Sequence, residues 1–289
     1  MTKTLINGVT ADFLTINDRA IHYGDGLFET ILCENNRLFY WSQHYERLQR
    51  SASKLKLTCP DEQIFLSDIR SLLQENECIN LSACSIKIIL TRGSSERGYG
   101  IPKKTSENRL VFLSKITSDY SSLLSGQLIS GELYLCKQQV SINESLAGVK
   151  HLNRLENVLA RNEWPDTANN NFIDGLMLDA NRHVIEGTMS NLFAIRDNQI
   201  YTPDLSRSGV NGIMRDMIID AADRNNIPLS TLDISLDDLL AMEEIFISNS
   251  LFGIRSVNKI GDTFYKQQTI TKIIYSNLLK TKEDHVQVI

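Results

Sequence analysis

Four short polar pairs, each set between apolar runs, constrain the fold of this 289-residue chain more than any other feature. Asn7-Gly8 divides "TLINGVTADF" and Asn35-Asn36 divides "LFETILCENNRLFYW". Ala180-Asn181 and Asp197-Asn198 divide "DGLMLDANRHVIEGTMSNLFAIRDNQIYTP". Such pairs suit tight turns, so the stretches read as antiparallel hairpins. "CSIKIILTRG" alternates and is rich in Ile, which predicts a buried strand ending at Arg92-Gly93, with "RLVFLSKI", "ELYLCK" and "EEIFISNS" as further strands.

Helices are predicted between them. "SQHYERLQRSASKLKL" sets Tyr45, Leu48, Ala52 and Leu55 at helical spacing behind Ser42 as N-cap. In "GVKHLNRLENVLAR", Asn153 and Glu156 fit a capping box, and Leu152, Leu155 and Leu159 form one apolar stripe. The segment "RSGVNGIMRDMIIDAADRNN" is helical after its glycines, and the Ser-rich residues 117–126 read as a linker. The expected fold is α+β or α/β in two domains: a small N-terminal one over 1–116 and a larger one over 127–289, meeting in a cleft.

Composition narrows the function. Hydrophobic content of 42% and charged content of 22% suit a soluble protein with a proper core. A net charge of -5 argues against nucleic acid as partner. No apolar run approaches the roughly 20 residues that span a bilayer. The start, "MTKTLINGVTADF", lacks the apolar core of a signal peptide, so a cytoplasmic protein with a small-molecule partner is expected. Cys33, Cys59, Cys78, Cys84 and Cys136 are scattered with no C-x-x-C pair, which favours reduced thiols. The histidines form no H-x-x-x-H or H-E-x-x-H pattern, so no metal is expected.

Four stretches carry more polar detail than packing requires. Lys150 is either an exposed lysine or, just ahead of a helix N-terminus, an amine of lowered pKa suited to Schiff-base chemistry. The turn Gly209–Gly212 is either a glycine-punctuated helix start or a phosphate site of turn amides and helix N-terminus. Glu186, in an apolar strand end, is either solvent-facing or the partner of a buried cation such as a protonated pyridine nitrogen. Arg47 is either a surface arginine or a two-oxygen grip on phosphate. An aldehyde for Lys150, a ring nitrogen for Glu186 and a phosphate for Arg47 and the turn together describe one ligand, pyridoxal phosphate.

At this point the chain resembles the fold type IV pyridoxal-phosphate enzymes: branched-chain aminotransferases, D-amino acid aminotransferases and aminodeoxychorismate lyases. The resemblance runs through "DRAIHYGDGLFET", "HYERL", "TRGSSERGY", "GVKHLNRLENVLAR", "EGTMSNLF", "GVNGIMR" and "ISNSLFGI", in the family's order. It implies a two-domain architecture with the cofactor in the interdomain cleft of a homodimer. It implies that Lys150 joins the cofactor covalently and shuttles protons, and that Glu186 holds the pyridine nitrogen. Arg47 would bind the phosphate with the backbone at Asn211 and Gly212 and with Ser250 or its neighbour Asn249. Phe28, Arg97, Tyr99 and Arg154 are implied on the substrate side, with Arg97 and Tyr99 on a loop that in relatives reaches across the dimer interface. His151 fits a hydrogen-bonded structural histidine better than a proton carrier.

Phe28 stands where the D-amino acid aminotransferases place a tyrosine that helps trap the α-carboxylate, and Tyr99 stands where they use histidine. "KHLNRLENVLAR" with "RSGVNGIMR" resembles the aminodeoxychorismate lyase branch most. The activity implied is therefore conversion of 4-amino-4-deoxychorismate to 4-aminobenzoate and pyruvate, in folate biosynthesis. The alternatives are an aminotransferase for a D- or branched-chain amino acid and, more remotely, a catalytically silent cofactor binder.

Overall fold

The computed structural model describes residues 3–74, 83–116, 120–164 and 171–289. The chain divides into two compact units, one of residues 1–118, 150–153 and 283–289, the other of residues 119–149 and 154–282.

The first unit contains β1 (Lys3–Ile6), β2 (Val9–Thr10), α1 (Arg19–Tyr23), β3 (Gly26–Glu34), β4 (Arg37–Phe39), α2 (Trp41–Leu55), α3 (Glu62–Gln74), β5 (Ala83–Thr91) and β6 (Asn108–Lys115). Its sheet runs in the order Val286–Val288, β4, β3, β5, β6, β1, β2, antiparallel throughout. The expected hairpins are present, and their turns show why. Asn7 and Gly8 have φ of 53° and 85°, and Asn35 and Asn36 have 50° and 59°. Both central residues of a type I′ turn need positive φ, which Asn and Gly supply at least cost. On β3, Leu27, Glu29, Ile31 and Cys33 are buried on one face, and Phe28 and Thr30 are half-buried on the other.

Helix α2 starts at Trp41 with Tyr40 at the cap, not Ser42. The cause is burial: Tyr40 and Trp41 are each 1% exposed, and Trp41 Nε1 donates to Glu62 at 2.6 Å. This aromatic pair sets the entry to the helix one residue before the serine. Cys33, Cys59, Cys84 and Cys136 are free thiols; Cys78 lies outside the described residues.

The second unit contains α4 (Ser122–Ser125), β7 (Ile129–Leu135), α5 (Leu155–Arg161), β8 (Phe172–Leu178), β9 (His183–Gly187), β10 (Asn191–Arg196), β11 (Gln199–Pro203), α6 (Ile213–Arg224), β12 (Leu229–Leu232), β13 (Ile234–Ser235), α7 (Leu236–Leu240), β14 (Glu244–Asn249), β15 (Gly253–Ile260), β16 (Thr263–Phe264) and α8 (Thr269–Thr281). Its mixed sheet runs β12-β11-β10-β14-β15-β7-β8-β9-β13, with β16 paired to β15. Asp197 and Asn198 again take positive φ, between β10 and β11. Phe193 and Phe246, partners across β10 and β14, stack at 4.9 Å and are fully buried. The buried Glu244 carboxylate accepts the amides of Thr269, Ile270 and Thr271 at 2.7, 3.1 and 2.9 Å, capping α8 from another element.

Of the Ser-rich stretch, residues 117–119 lie outside the described residues; in 120–126, Ser122 Oγ donates to the Phe252 carbonyl at 2.8 Å, and Ser121 and Ser122 are buried. One local expectation is corrected: Asn153 does not cap α5. The cap is Arg154, whose side chain makes no capping bond, while Asn153 Nδ2 donates to the Gly24 carbonyl at 3.3 Å. Glu156 instead takes the backbone N–H and hydroxyl of Ser141. Partners distant in sequence outcompete the local capping box. Nor is the helix's apolar stripe a core stripe, since Leu155 and Leu159 are 69% and 51% exposed.

Candidate active site

In the first unit Lys150 belongs to the sheet. Phe28 N–H donates to its carbonyl at 3.0 Å, and Leu152 N–H donates to the Gly26 carbonyl at 3.0 Å. Residues 150–152 thus extend β3 as a short antiparallel edge, with Leu27 opposite His151. The Lys150 ammonium stands 4.3 Å above the Phe28 ring centroid, and that of Lys87 stands 5.3 Å from the same centroid. The aromatic face of Phe28 is the setting of Lys150 within the first unit.

On the opposite, buried face of β3, Glu29 organises α2. Its carboxylate accepts Arg47 Nε at 2.8 Å and Nη2 at 2.5 Å, and His44 Nδ1 at 2.6 Å. Burial alone would raise the Glu29 pKa; the Arg47 charge and the two partners' hydrogen bonds outweigh it and hold it at about 2. Burial lowers the His44 pKa, against the pull of Glu29, and the Lys150 charge adds to the lowering. Glu29 is therefore an ionised acceptor, and the neutral imidazole carries its proton on Nδ1.

In the second unit Glu186 is 5% exposed on β9, and its Oε2 accepts Val210 N–H at 2.9 Å. Val210 sits in the turn that begins at Gly209, whose φ is 80°. A Cβ on Gly209 would lie 2.9 Å from both Ile185 and Leu205. Gly212 caps α6 with no side-chain bond, so the first amides of a twelve-residue helix open toward the turn. A Cβ there would fall 2.0 Å from Asn191 Oδ1, whose amide nitrogen donates to the Val210 carbonyl at 2.8 Å. Val210 N–H is taken by Glu186 and Asn211 N–H by the Gly148 carbonyl at 3.3 Å, so the amides that fit a phosphate are those at the start of α6, which no side chain caps.

The residues selected from sequence thus fall into two sets. Lys150, Phe28, Arg47, Arg97 and Tyr99 belong to the first unit; Glu186, Asn211, Gly212, Asn249, Ser250 and Arg154 belong to the second. The Asn211 side chain is held by Asp216 and Arg215, which leaves its backbone as the part that shapes the turn. The Asn249 side chain accepts the amides of Leu251 and Phe252 and donates to the Met189 carbonyl, so it fixes local backbone. Arg154 donates to the Val149 carbonyl at 3.2 Å; burial lowers its pKa, opposed by the charges of Glu186 and Glu156. His151 Nδ1 accepts Asn153 N–H at 3.2 Å.

Sequence reasoning missed four residues. Glu29 interrupts an apolar strand as Glu186 does, and His44 lies one turn before Arg47 on α2; both could have been found that way. Lys87 is opposite Thr30 in the β3–β5 register, which only the pairing reveals. Buried Asp174 accepts Thr188 N–H and Oγ1 at 3.1 and 2.5 Å and Ser190 Oγ at 2.6 Å, locking the turn that follows Glu186. Among the described residues no group of three or more His, Cys, Asp or Glu is arranged to hold a metal ion.

Comparison with known proteins gives the family. Residues 26–260 match the family profile "Amino-transferase class IV". An aminodeoxychorismate lyase of Vibrio harveyi is 33% identical over 256 residues, covering 89% of this chain and 90% of that protein. A D-alanine aminotransferase of Staphylococcus aureus is 31% identical over 255 residues, covering 86% and 83%. The crystal structure of 4-amino-4-deoxychorismate lyase from Pseudomonas aeruginosa superposes with a TM-score of 0.81 at 33% identity, covering 96% of this chain and 98% of that one. The chain belongs to the class IV aminotransferase family.

Proposed function

We propose that this protein is a pyridoxal-phosphate-dependent lyase that converts 4-amino-4-deoxychorismate to 4-aminobenzoate and pyruvate. The observation that carries the reading is the Phe28 ring, which meets the ammonium groups of both Lys150 and Lys87 and offers no hydroxyl. With Lys150 reserved for the cofactor, Lys87 beside an apolar ring suits a flat ring substrate bearing a carboxylate. The 33% identity to two proteins named as this lyase supports the same choice.

Pyridoxal phosphate supplies an aldehyde that takes up the substrate amine and a ring that accepts an electron pair. Lys150 would hold the aldehyde carbon and, as a neutral amine, would take the proton from the amine-bearing ring carbon of the substrate. Glu186 would keep the pyridine nitrogen protonated, and the Gly209–Gly212 turn, the start of α6, Arg47 and Ser250 or its neighbour Asn249 would hold the phosphate. The Lys150 ammonium would return that proton to the departing enolpyruvyl group, which leaves as pyruvate while the substrate ring becomes aromatic. Arg97, Tyr99, Arg154 and Lys87 bind the substrate carboxylates. The protein acts as a cytoplasmic homodimer in folate biosynthesis, and the exposed apolar residues Leu155, Val158 and Leu159 of α5 suit an interface.

The test is product analysis with 4-amino-4-deoxychorismate and the cofactor-loaded protein. Equal release of 4-aminobenzoate and pyruvate supports the lyase. Amino-group transfer from D-alanine or a branched-chain amino acid to a keto acid, without pyruvate from the chorismate derivative, identifies an aminotransferase instead.

A further inference from the structure

The loop that carries Arg97 and Tyr99 has no core of its own. Residues 95–107 contain no helix or strand, Arg97 is exposed, and Tyr99 is 86% exposed. The loop is held instead by the five-residue helix α1. Asp18 Oδ1 starts that helix by accepting Ala20 N–H at 2.8 Å, and Gly24 ends it with φ of 62°.

Arg19 is 4% exposed, and its guanidinium makes four bonds. Nε donates to Asp25 Oδ2 at 2.8 Å. The other three reach the loop: Nη1 to Ser95 Oγ at 3.1 Å and the Gly98 carbonyl at 2.9 Å, and Nη2 to the Tyr99 carbonyl at 3.3 Å. Tyr23, one turn further along α1, adds a fourth anchor by accepting Gly98 N–H on its hydroxyl at 3.2 Å. Its ring lies 5.3 Å from that of Tyr99 and 4.8 Å beneath the Arg19 guanidinium carbon. At its other end α1 meets the Lys150 segment: the Gly24 carbonyl accepts Asn153 Nδ2, and a Cβ on Gly24 would fall 2.4 Å from Asn153 Oδ1.

One short helix thus touches both the loop and the strand edge that bears Lys150. We propose that Arg19, assisted by Tyr23, is the positioning residue that sets Arg97 and Tyr99 for substrate binding. Arg19 is suited to this because its planar fork serves acceptors in several directions at once, which a lysine ammonium cannot do. Asp25 keeps a second partner when Arg19 is changed, since Arg92 donates to its two oxygens at 2.7 and 3.0 Å. The loop anchors can therefore be removed without stranding a carboxylate.

The inference rests on the reading of Arg97 and Tyr99 as substrate residues, and its test separates the two. Hydrogen exchange of residues 94–100 in Arg19→Lys, measured on the cofactor-loaded protein without substrate, should quicken roughly tenfold, as for loss of one charged hydrogen bond. KM for 4-amino-4-deoxychorismate should rise by a similar factor, with kcat and the cofactor absorption band little changed. Tyr23→Phe should move exchange and KM in the same direction by less. Unchanged exchange in the loop, or faster exchange with unchanged KM, overturns the proposal. If Arg19→Lys fails to fold, Tyr23→Phe decides alone by the same two readouts. Wild-type protein that releases neither product would defeat the lyase reading, while the exchange experiment would still decide the anchoring.

Discussion

The Lys150 ammonium stands 4.3 Å above the centre of the Phe28 ring, and the backbones of the two residues are hydrogen-bonded at 3.0 Å. The Lys150 amine is thus placed by its main chain and faced by a π-system. Cation–π contacts of this kind are worth about 0.5–2 kcal/mol. Phe28→Leu keeps the main-chain bond and removes the aromatic face. Titration of the apoprotein with pyridoxal phosphate should then show cofactor attachment extending to lower pH, because the ring no longer favours the ammonium over the neutral amine that attacks the aldehyde. An unchanged titration would show that the ring does not hold the lysine.

The Glu29–His44–Arg47 cluster makes stability depend on pH. Glu29 titrates at about 2 in the folded protein, below its ordinary 4.5. Its contribution is complete above 4.5 and is lost as pH falls toward 2. His44, lowered from 6.5 by burial, acts in the same direction, because the unfolded chain takes up the proton first. Stability should therefore decline below pH 6.5 and steeply below 4.5. Glu29→Gln should cost about 3–5 kcal/mol by leaving Arg47 buried without its carboxylate. It should also flatten the acid limb of a denaturation series across pH.

Gly212→Ala should weaken cofactor binding more than it lowers stability. The added methyl would displace Asn191, which holds the Val210 carbonyl, and would crowd the open end of α6. Loss of one or two amide contacts to a phosphate corresponds to at least tenfold in the dissociation constant, at about 1.5–3 kcal/mol for a hydrogen bond to a charged group. Equilibrium titration against thermal unfolding of the apoprotein separates the two effects.

Glu244→Ala removes the carboxylate that accepts three amides at the start of α8. The expected cost is about 1–3 kcal/mol for buried donors left unsatisfied. Cofactor binding should be unaffected, and urea unfolding of the loaded and unloaded protein measures both.

The sequence made the hairpins legible because Asn and Gly at a two-residue turn leave the backbone few choices, as the positive φ of Asn7, Asn35, Asn36, Asp197 and Asn198 shows. It made Lys150, Glu186 and the Gly209–Gly212 turn conspicuous because each breaks an apolar or helical pattern. The cap of α5 was misread because Asn153 and Glu156 satisfy a local rule while the fold gives them other partners, Gly24 and Ser141. Lys87 was hidden for a related reason: its closeness to Phe28 comes from strand register, which no local pattern records. Arg19 lies within the motif "DRAIHYGDGLFET", but its hold on a loop more than seventy residues away is a tertiary fact.

The central claim is that Lys150 carries the cofactor. The most direct test is borohydride reduction of the protein loaded with pyridoxal phosphate, followed by peptide mass mapping, with Lys150→Ala as control. The account predicts a single cofactor-tagged site at Lys150, no tag and almost no turnover in the variant. A tag on another lysine, or wild-type turnover in Lys150→Ala, would contradict it.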